Sequence, residues 1–364
     1  MGEGNFARSE KMQKQGLILL AAATLALMVL AVVAIATGDR GVSRAAPGER
    51  ALPALATKLG DVGSVGIKRS ALSLTFVRDG DNWLVAEKGN YPAAAGKVRQ
   101  IALAMTDLLL VEPKTNQAEF YPRLDVEDPG SGKSTLVTLK DKSGAPLAEL
   151  IIGKRRYDRL GTGTDGVYVR KPGDSQAWLA RGSLEFSDQL SSWLDRRILD
   201  IPEKRIAKAT LTQPDGTKLV ITRAKPEDKF TVEEAPADAK FKSETTTSEP
   251  AMVLENLDLD DVKPAAEMPV PNKDVVTASL TTFDGLTVDV RLLDKDDTHW
   301  AALSAVGSGS AEAEAKAIDE KASRWTYAIP SYKATQLKMK LSDLLEPKKG
   351  QETPTPEKEV PNER

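Results

Sequence analysis

Apolar and polar residues change rhythm along this chain, and the changes divide it. From Gly16 to Gly38 there is no alternation and no charge: Leu17-Ile18-Leu19-Leu20 is followed by alanines, Leu25, Leu27, Met28, Val29, Leu30, Val32, Val33 and Ile35. At about 1.5 Å of rise per residue, a bilayer core takes roughly 20 apolar residues, so the pattern predicts a transmembrane helix over 16–38. Ala34-Ile35-Ala36 would also serve as a signal-peptide cleavage site. The apolar run, however, exceeds the roughly 7–15 residues of a signal core, which favours a retained anchor.

Arg8, Lys11 and Lys14 before the span are balanced by Arg40, Arg44, Arg50 and Lys58 after it, so charge does not orient it. A short cytoplasmic arm (1–15) with the long body exported is the expected topology. It places the protein in the cell inner membrane as a single-pass protein with a periplasmic body. Residues 39–60, rich in Ala, Gly, Pro and Arg, read as a tether.

The body then switches to period two. Ala71-Leu72-Ser73-Leu74-Thr75-Phe76-Val77 alternates as a half-buried strand, Asp79-Gly80-Asp81 turns, and Trp83-Leu84-Val85 returns. Tyr91-Pro92-Ala93 opens a predicted helix with Val98, Ile101, Met105 and Leu108 at helical spacing. Strands are predicted at 109–113, 136–140, 147–152, 166–170 and 177–180, and Leu184–Leu199 reads as a closing helix. A second, weaker copy follows. Strands 208–212 and 219–222 flank Pro214-Asp215-Gly216, Lys229–Val232 stands for Trp83-Leu84-Val85, and Ser248–Leu257 takes the helix slot. Val262-Lys263-Pro264 echoes Val111-Glu112-Pro113, and the hairpin around Asp284-Gly285 echoes the one around Gly144. Trp325-Thr326-Tyr327 echoes Trp178-Leu179-Ala180, and Gln336-Leu337 echoes Gln189-Leu190, at a shared offset of 147.

The expected fold class is therefore α+β: an N-terminal transmembrane helix, then two repeated modules of antiparallel strands with packed helices, at 61–200 and 201–346. Gly307–Ala322 stands outside the repeat as a solvated insert or short exposed helix. The tail 347–364, rich in Pro, Glu, Lys and Thr, is expected to be disordered.

Composition narrows the chemistry. With no cysteine and one histidine, His299, thiol nucleophiles, disulfides and the usual zinc, iron–sulfur and haem sites are excluded. A net charge of −3 supplies no field for nucleic acid. His299, in Asp296-Asp297-Thr298-His299-Trp300, reads as a strand-edge residue. Pro129-Gly130-Ser131-Gly132-Lys133-Ser134-Thr135 resembles the end of a phosphate loop, yet Glu127 stands where the first glycine belongs. A strand rather than a helix is expected after it. No nucleotide site is expected there.

No Gly-x-Ser-x-Gly elbow occurs. Asp258, Asp260 and Asp261, like Asp294, Asp296 and Asp297, lack the loop glycine and closing glutamate of a calcium site and read as solvated strand ends. Trp83, Trp178, Trp300 and Trp325 sit in strand-like runs, as core or sheet-face residues. No catalytic, cofactor-binding or metal residues are assigned. Charge is uneven: 133–208 holds 15 basic and 10 acidic residues, with a knot at Lys154-Arg155-Arg156 and Arg159, while 225–320 holds 9 basic and 22 acidic.

Several of these motifs occur in a familiar order. The apolar anchor, Phe76-Val77-Arg78 with Trp83-Leu84-Val85, and Tyr91-Pro92-Ala93 leading into a helix are followed by Tyr121-Pro122-Arg123-Leu124, Val126-Glu127-Asp128-Pro129 and Ile152-Gly153-Lys154-Arg155. Over roughly residues 60–300 the chain resembles the bacterial family called domain of unknown function 4340. The resemblance implies a single-span envelope protein without established catalytic residues. Some members are encoded beside ABC transporters of the type first linked to gliding motility, and are described as auxiliary components.

Together these readings lead to an expected non-enzymatic, membrane-anchored extracytoplasmic scaffold, auxiliary to an ABC-type transporter or envelope assembly. The alternative is a periplasmic binding module for envelope polysaccharide or peptide, with a groove between the two copies. The expected partners are the membrane, through the N-terminal helix, and transporter subunits, with neither nucleic acid nor nucleotide.

Overall fold

Alternation along the body becomes two large antiparallel sheets, in which every second side chain of a strand faces a core. They are seen in a computed structural model that describes residues 46–130, 132–157, 165–233 and 235–346. The first sheet holds β1 (Val62–Lys68), β2 (Ser73–Asp79), β3 (Asn82–Val85), β4 (Tyr91–Pro92), β5 (Leu109–Pro113), β6 (Thr135–Asp141), β7 (Pro146–Arg156), β8 (Gly166–Arg170) and β9 (Ala177–Arg181). A separate ribbon pairs β10 (Arg197–Leu199), between the two large sheets in the chain, with β14 (Leu257–Asp258), within the run of the second. The second sheet holds β11 (Ile206–Thr212), β12 (Lys218–Thr222), β13 (Thr231–Val232), β15 (Asp261–Pro264), β16 (Val276–Thr282), β17 (Leu286–Lys295), β18 (Thr298–Gly307) and β19 (Trp325–Ala328).

The first order is β4-β3-β2-β1-β6-β7-β8-β9-β5 and the second is β13-β12-β11-β16-β17-β18-β19-β15. Strand for strand, from β3 and β13 to β5 and β15, the orders coincide once β4 is set aside. The β6–β7 hairpin turns on Asp141, whose carboxylate accepts from the Ser143 amide, the Ser143 hydroxyl and the Ala145 amide. Its counterpart β16–β17 turns at Asp284-Gly285.

Helix is sparse, which corrects the α+β expectation: the fold is built mainly from large antiparallel sheets. One predicted helix forms, α1 (Ala95–Asp107), burying Val98, Ile101, Ala102 and Met105. Its lead-in Tyr91-Pro92 is strand β4 rather than helix. The helix predicted over Leu184–Leu199 does not form; the segment is a 3-10 turn at Leu190–Trp193 followed by β10. Tertiary contacts take over the backbone groups that such a helix would use. The Ala94 amide donates to the Trp193 carbonyl and the Asp195 amide to the Pro92 carbonyl, while Trp193 is fully buried. In the Ser248–Leu257 slot, a helix of residues Glu244–Ser248 gives way to a 3-10 turn containing Pro250 and then to β14.

The insert folds as α2 (Glu312–Ala322), which buries Ala315 and Ala322. Arg205 fastens it with 2.7 Å bonds to both Glu314 and Asp284. A further helix, α3 (Ser331–Leu337), follows β19.

The transmembrane part of the expected fold falls on 16–38, which, with 1–15, 39–45 and 347–364, lies outside the described residues. Among the described residues, no helix is long and apolar enough to cross a membrane. Residues 46–60, read above as tether, are packed onto the first sheet. The Gly48 amide donates to the Leu110 carbonyl, the Leu110 amide to that of Glu49, and Ala51, Leu52 and Leu55 are buried. One continuous buried apolar cluster contains residues of both large sheets.

Candidate functional site

The motifs singled out in the sequence fall in four places. The glycine-rich loop leads straight into β6, so no helix N-terminus faces it. Gly132 lies against the Glu127 carboxylate, where a Cβ would sit 2.4 Å from Oε1. That places a negative group at the loop where a phosphate loop would need only amides. Ser131 lies outside the described residues.

Lys154 and Arg155 line an open cleft of about 450 Å³ with Lys133, Thr135 and Arg69. Arg155 is paired with Glu185, and Arg69, beside the knot, with Asp188 at 2.5 Å. Arg159 lies outside the described residues. Asp125, in the motif from Tyr121 to Asp128, adds to the cleft wall, and the motif is held by the buried guanidinium of Arg170. That group donates to the Val126 carbonyl at 2.9 Å and to Asp128 at 2.6 Å, and lies 4.4 Å from the Tyr121 ring. Gly153 passes so close that a Cβ would meet the Leu124 carbonyl oxygen at 2.2 Å. A substitution here would push the wall off the strand.

His299 stands opposite Asp294 in the β17–β18 pair, with Nδ1 2.6 Å from its carboxylate, and Lys338 lies 2.6 Å from the other carboxylate oxygen. Burial raises the Asp294 pKa, but the Lys338 and His299 hydrogen bonds outweigh it and hold the carboxyl below its ordinary value. The three side chains strap the hairpin to the segment after α3. Asp258 holds Arg197 and Asp261 holds Lys88, each at 2.6 Å. Asp296 and Asp297 turn the β17–β18 connection with left-handed backbone. Among the described residues, no group of three or more His, Asp and Glu is placed to hold a metal ion.

Trp83, Trp300 and Trp325 are buried and Trp178 is half-buried. One of them builds the feature that the sequence did not reveal, the joint between the sheets. Tyr91 on β4 meets Trp325 on β19 edge-to-face at 5.1 Å, and Tyr327 at 6.3 Å. Both tyrosines are fully buried, and burial pushes their hydroxyls far above the ordinary tyrosine pKa. The Tyr91 hydroxyl donates to the Asp195 carbonyl at 3.0 Å. Beside them Gly89, with φ of 64°, lies against Pro264 of β15, where a Cβ would meet the ring at 2.6 Å. Lys88 reaches Asp261 of the same strand.

The β10–β14 ribbon completes the joint. Arg197 donates to Asp258 at 2.6 Å and to Asn256 at 2.7 Å, and Lys321 of α2 donates to the Arg197 carbonyl. Under the ribbon, the Lys333 ammonium donates to the Met252 and Glu255 carbonyls, each at 2.6 Å. Burial pulls its pKa down to about 8. Trp193, which the sequence reading assigned to a helix, packs under the first sheet against Phe76 at 5.7 Å. Neither it nor the joint leaves a local signal, because the partners lie about sixty or more residues apart in the chain.

The family model for the Domain of unknown function (DUF4340) matches residues 83–274. No curated protein and no solved structure matches the chain. The matched stretch begins at Trp83, ends at Asp274, and includes β4 and β15, which both lie at the joint.

Proposed function

The chain belongs to the family of domain of unknown function 4340, and from that premise we propose that it is a non-enzymatic, membrane-anchored extracytoplasmic scaffold. In this reading it is an auxiliary component of an ABC-type transporter of the gliding-motility kind, or of a related envelope assembly. One observation carries the reading: the Tyr91–Trp325–Tyr327 joint locks two sheets of matching strand order into one body. A ligand clamp needs a wet, closable groove between its halves, whereas here the facing aromatics are spent on each other. A scaffold needs the opposite, a body that holds its surfaces at fixed spacing. The uncharged segment 16–38 and the docked residues 46–60 support the anchoring, since they would hold the body close to a bilayer.

The test is made in cells. The full chain should stay in the membrane pellet through high-salt and carbonate washes, and a photo-crosslinking residue at exposed body positions should join it to transporter subunits. Recovery of a mature soluble form beginning near Thr37 would remove the anchor, and crosslinks to no membrane complex would remove the scaffold.

A further inference from the structure

Most arginines of the body that are fixed by hydrogen bonds hold a carboxylate: Arg69, Arg170, Arg197, Arg205 and Arg223 each have at least one. Arg78 and Arg99 are different. Among the described residues, Arg78 donates only to the Gly80 and Gly60 carbonyls, at 3.0 and 3.4 Å, and Arg99 only to the Ala95 carbonyl of its own helix, at 3.3 Å. Both line one pocket of about 230 Å³ between α1 and strands β1–β3.

The pocket's lining is otherwise largely apolar. Val62, Trp83 and Ala102 are buried beneath it, and Leu59 and Leu103 form its sides, with Asp81 also at the rim. Leu103 is 52% exposed. The stripe of α1 that packs on the sheet is Val98, Ile101, Ala102 and Met105, so Leu103 has no packing duty inside the protein. An exposed leucine at the rim of an apolar hollow, flanked by two arginines without carboxylates, has the make-up of a docking site: an apolar anchor position with charged guides.

We propose that this pocket docks a segment of a partner polypeptide that carries one large apolar side chain flanked by carboxylates. The apolar side chain enters over Trp83 and Leu103. The flanking carboxylates take the free guanidinium donors of Arg78 and Arg99, which present paired N–H groups to a planar acid. The inference deepens the scaffold reading by naming the chemistry of one partner contact.

The probe is a fluorescein-labelled peptide, acetyl-Glu-Glu-Leu-Glu-Glu-amide, titrated by anisotropy with the full-length chain in detergent. Saturable binding is expected, weakened at least about tenfold by Leu103→Glu and by exchanging the peptide leucine for serine, the loss corresponding to about 1.4 kcal/mol. Arg99→Glu should also weaken it and should shift preference toward a peptide with lysines in place of the glutamates. Both substitutions are on exposed positions of α1, and an unchanged melting temperature separates lost docking from lost fold. No saturation up to about 1 mM, the limit of weak association, or binding indifferent to both substitutions overturns the proposal. Self-association abolished by Leu103→Glu, with no peptide competition, assigns the pocket to a second copy and also overturns it. These outcomes leave membrane retention and transporter crosslinking untouched, so the scaffold reading stands or falls separately.

Discussion

The β4 end of the first sheet and the β13 end of the second are topological counterparts with opposite surfaces. Each lies beside an isolated bridge, Ala93 with Leu194 in one and Phe241 with Leu345 in the other. Two residues before Ala93 stands buried Tyr91, and two before Phe241 stands Ala239, flanked by exposed Asp238 and Lys240. The inner end is aromatic and packed on Trp325 and Tyr327 of β19; the outer end is small and charged. At the opposite extreme, the edge of β5, which corresponds to β15, is covered by residues 46–51. A charged outer edge and a covered β5 edge leave little open strand for another copy to pair with.

The sharpest way to break this comparison is Tyr91→Ala. Removing a fully buried aromatic from the joint should cost about 3–5 kcal/mol, read as a shift in the urea midpoint. The matching change at the outer end, Ala239→Ser, should stay within about 0.5 kcal/mol. Equal losses would mean that the two ends do not differ as described.

Next in size is the ammonium beneath the ribbon. The folded-state pKa of Lys333, about 8, lies below its ordinary value of 10.5. Between those values the unfolded chain binds more protons, so stability rises with pH across the window and the gain is lost again as pH falls through about 8. The rise should amount to roughly 3 kcal/mol in all, and Lys333→Met should flatten it. An identical slope in the variant would show that Lys333 is not the titrating group.

Lys88→Met removes a half-exposed ion pair at the rim of the joint and should cost only about 0.5–1 kcal/mol, decreasing with added salt. His299→Ala loses a hydrogen bond to a largely exposed carboxylate and should cost at most about 1 kcal/mol by thermal melting, with function in cells retained. Abolished function in a folded His299→Ala protein would overturn the non-enzymatic reading. Lys133→Ala should be silent in stability, and the full chain should not bind ATP saturably.

Much of the sheet was legible because period-two burial is a local property. The strands around Gly144, Asp215 and Asp284 form close to where alternation and turn chemistry put them. Strand β1 was not legible: Gly63 and Gly66 dilute its pattern, although Val62, Val65 and Ile67 are buried at the centre of the sheet. The helix expected over Leu184–Leu199 failed for the opposite reason. Its apolar spacing fits a helix, but bridging to Ala93 and the burial of Trp193 satisfy the same groups better. The echo of Gln189-Leu190 in Gln336-Leu337 also shifts, since Leu194 and Leu345 occupy the matching bridges.

By itself the sequence determined the alternating strands, their turns, the amphipathic face of α1 and the absence of thiol chemistry, because each depends on residues close in the chain or on composition. Tertiary structure decided which edges meet, that Tyr91 faces Trp325, that Lys333 loses its water and that Arg78 and Arg99 converge on one hollow. Periodicity says which face of an element is apolar. What covers that face is chosen by contacts between distant segments, whose energies no local pattern records.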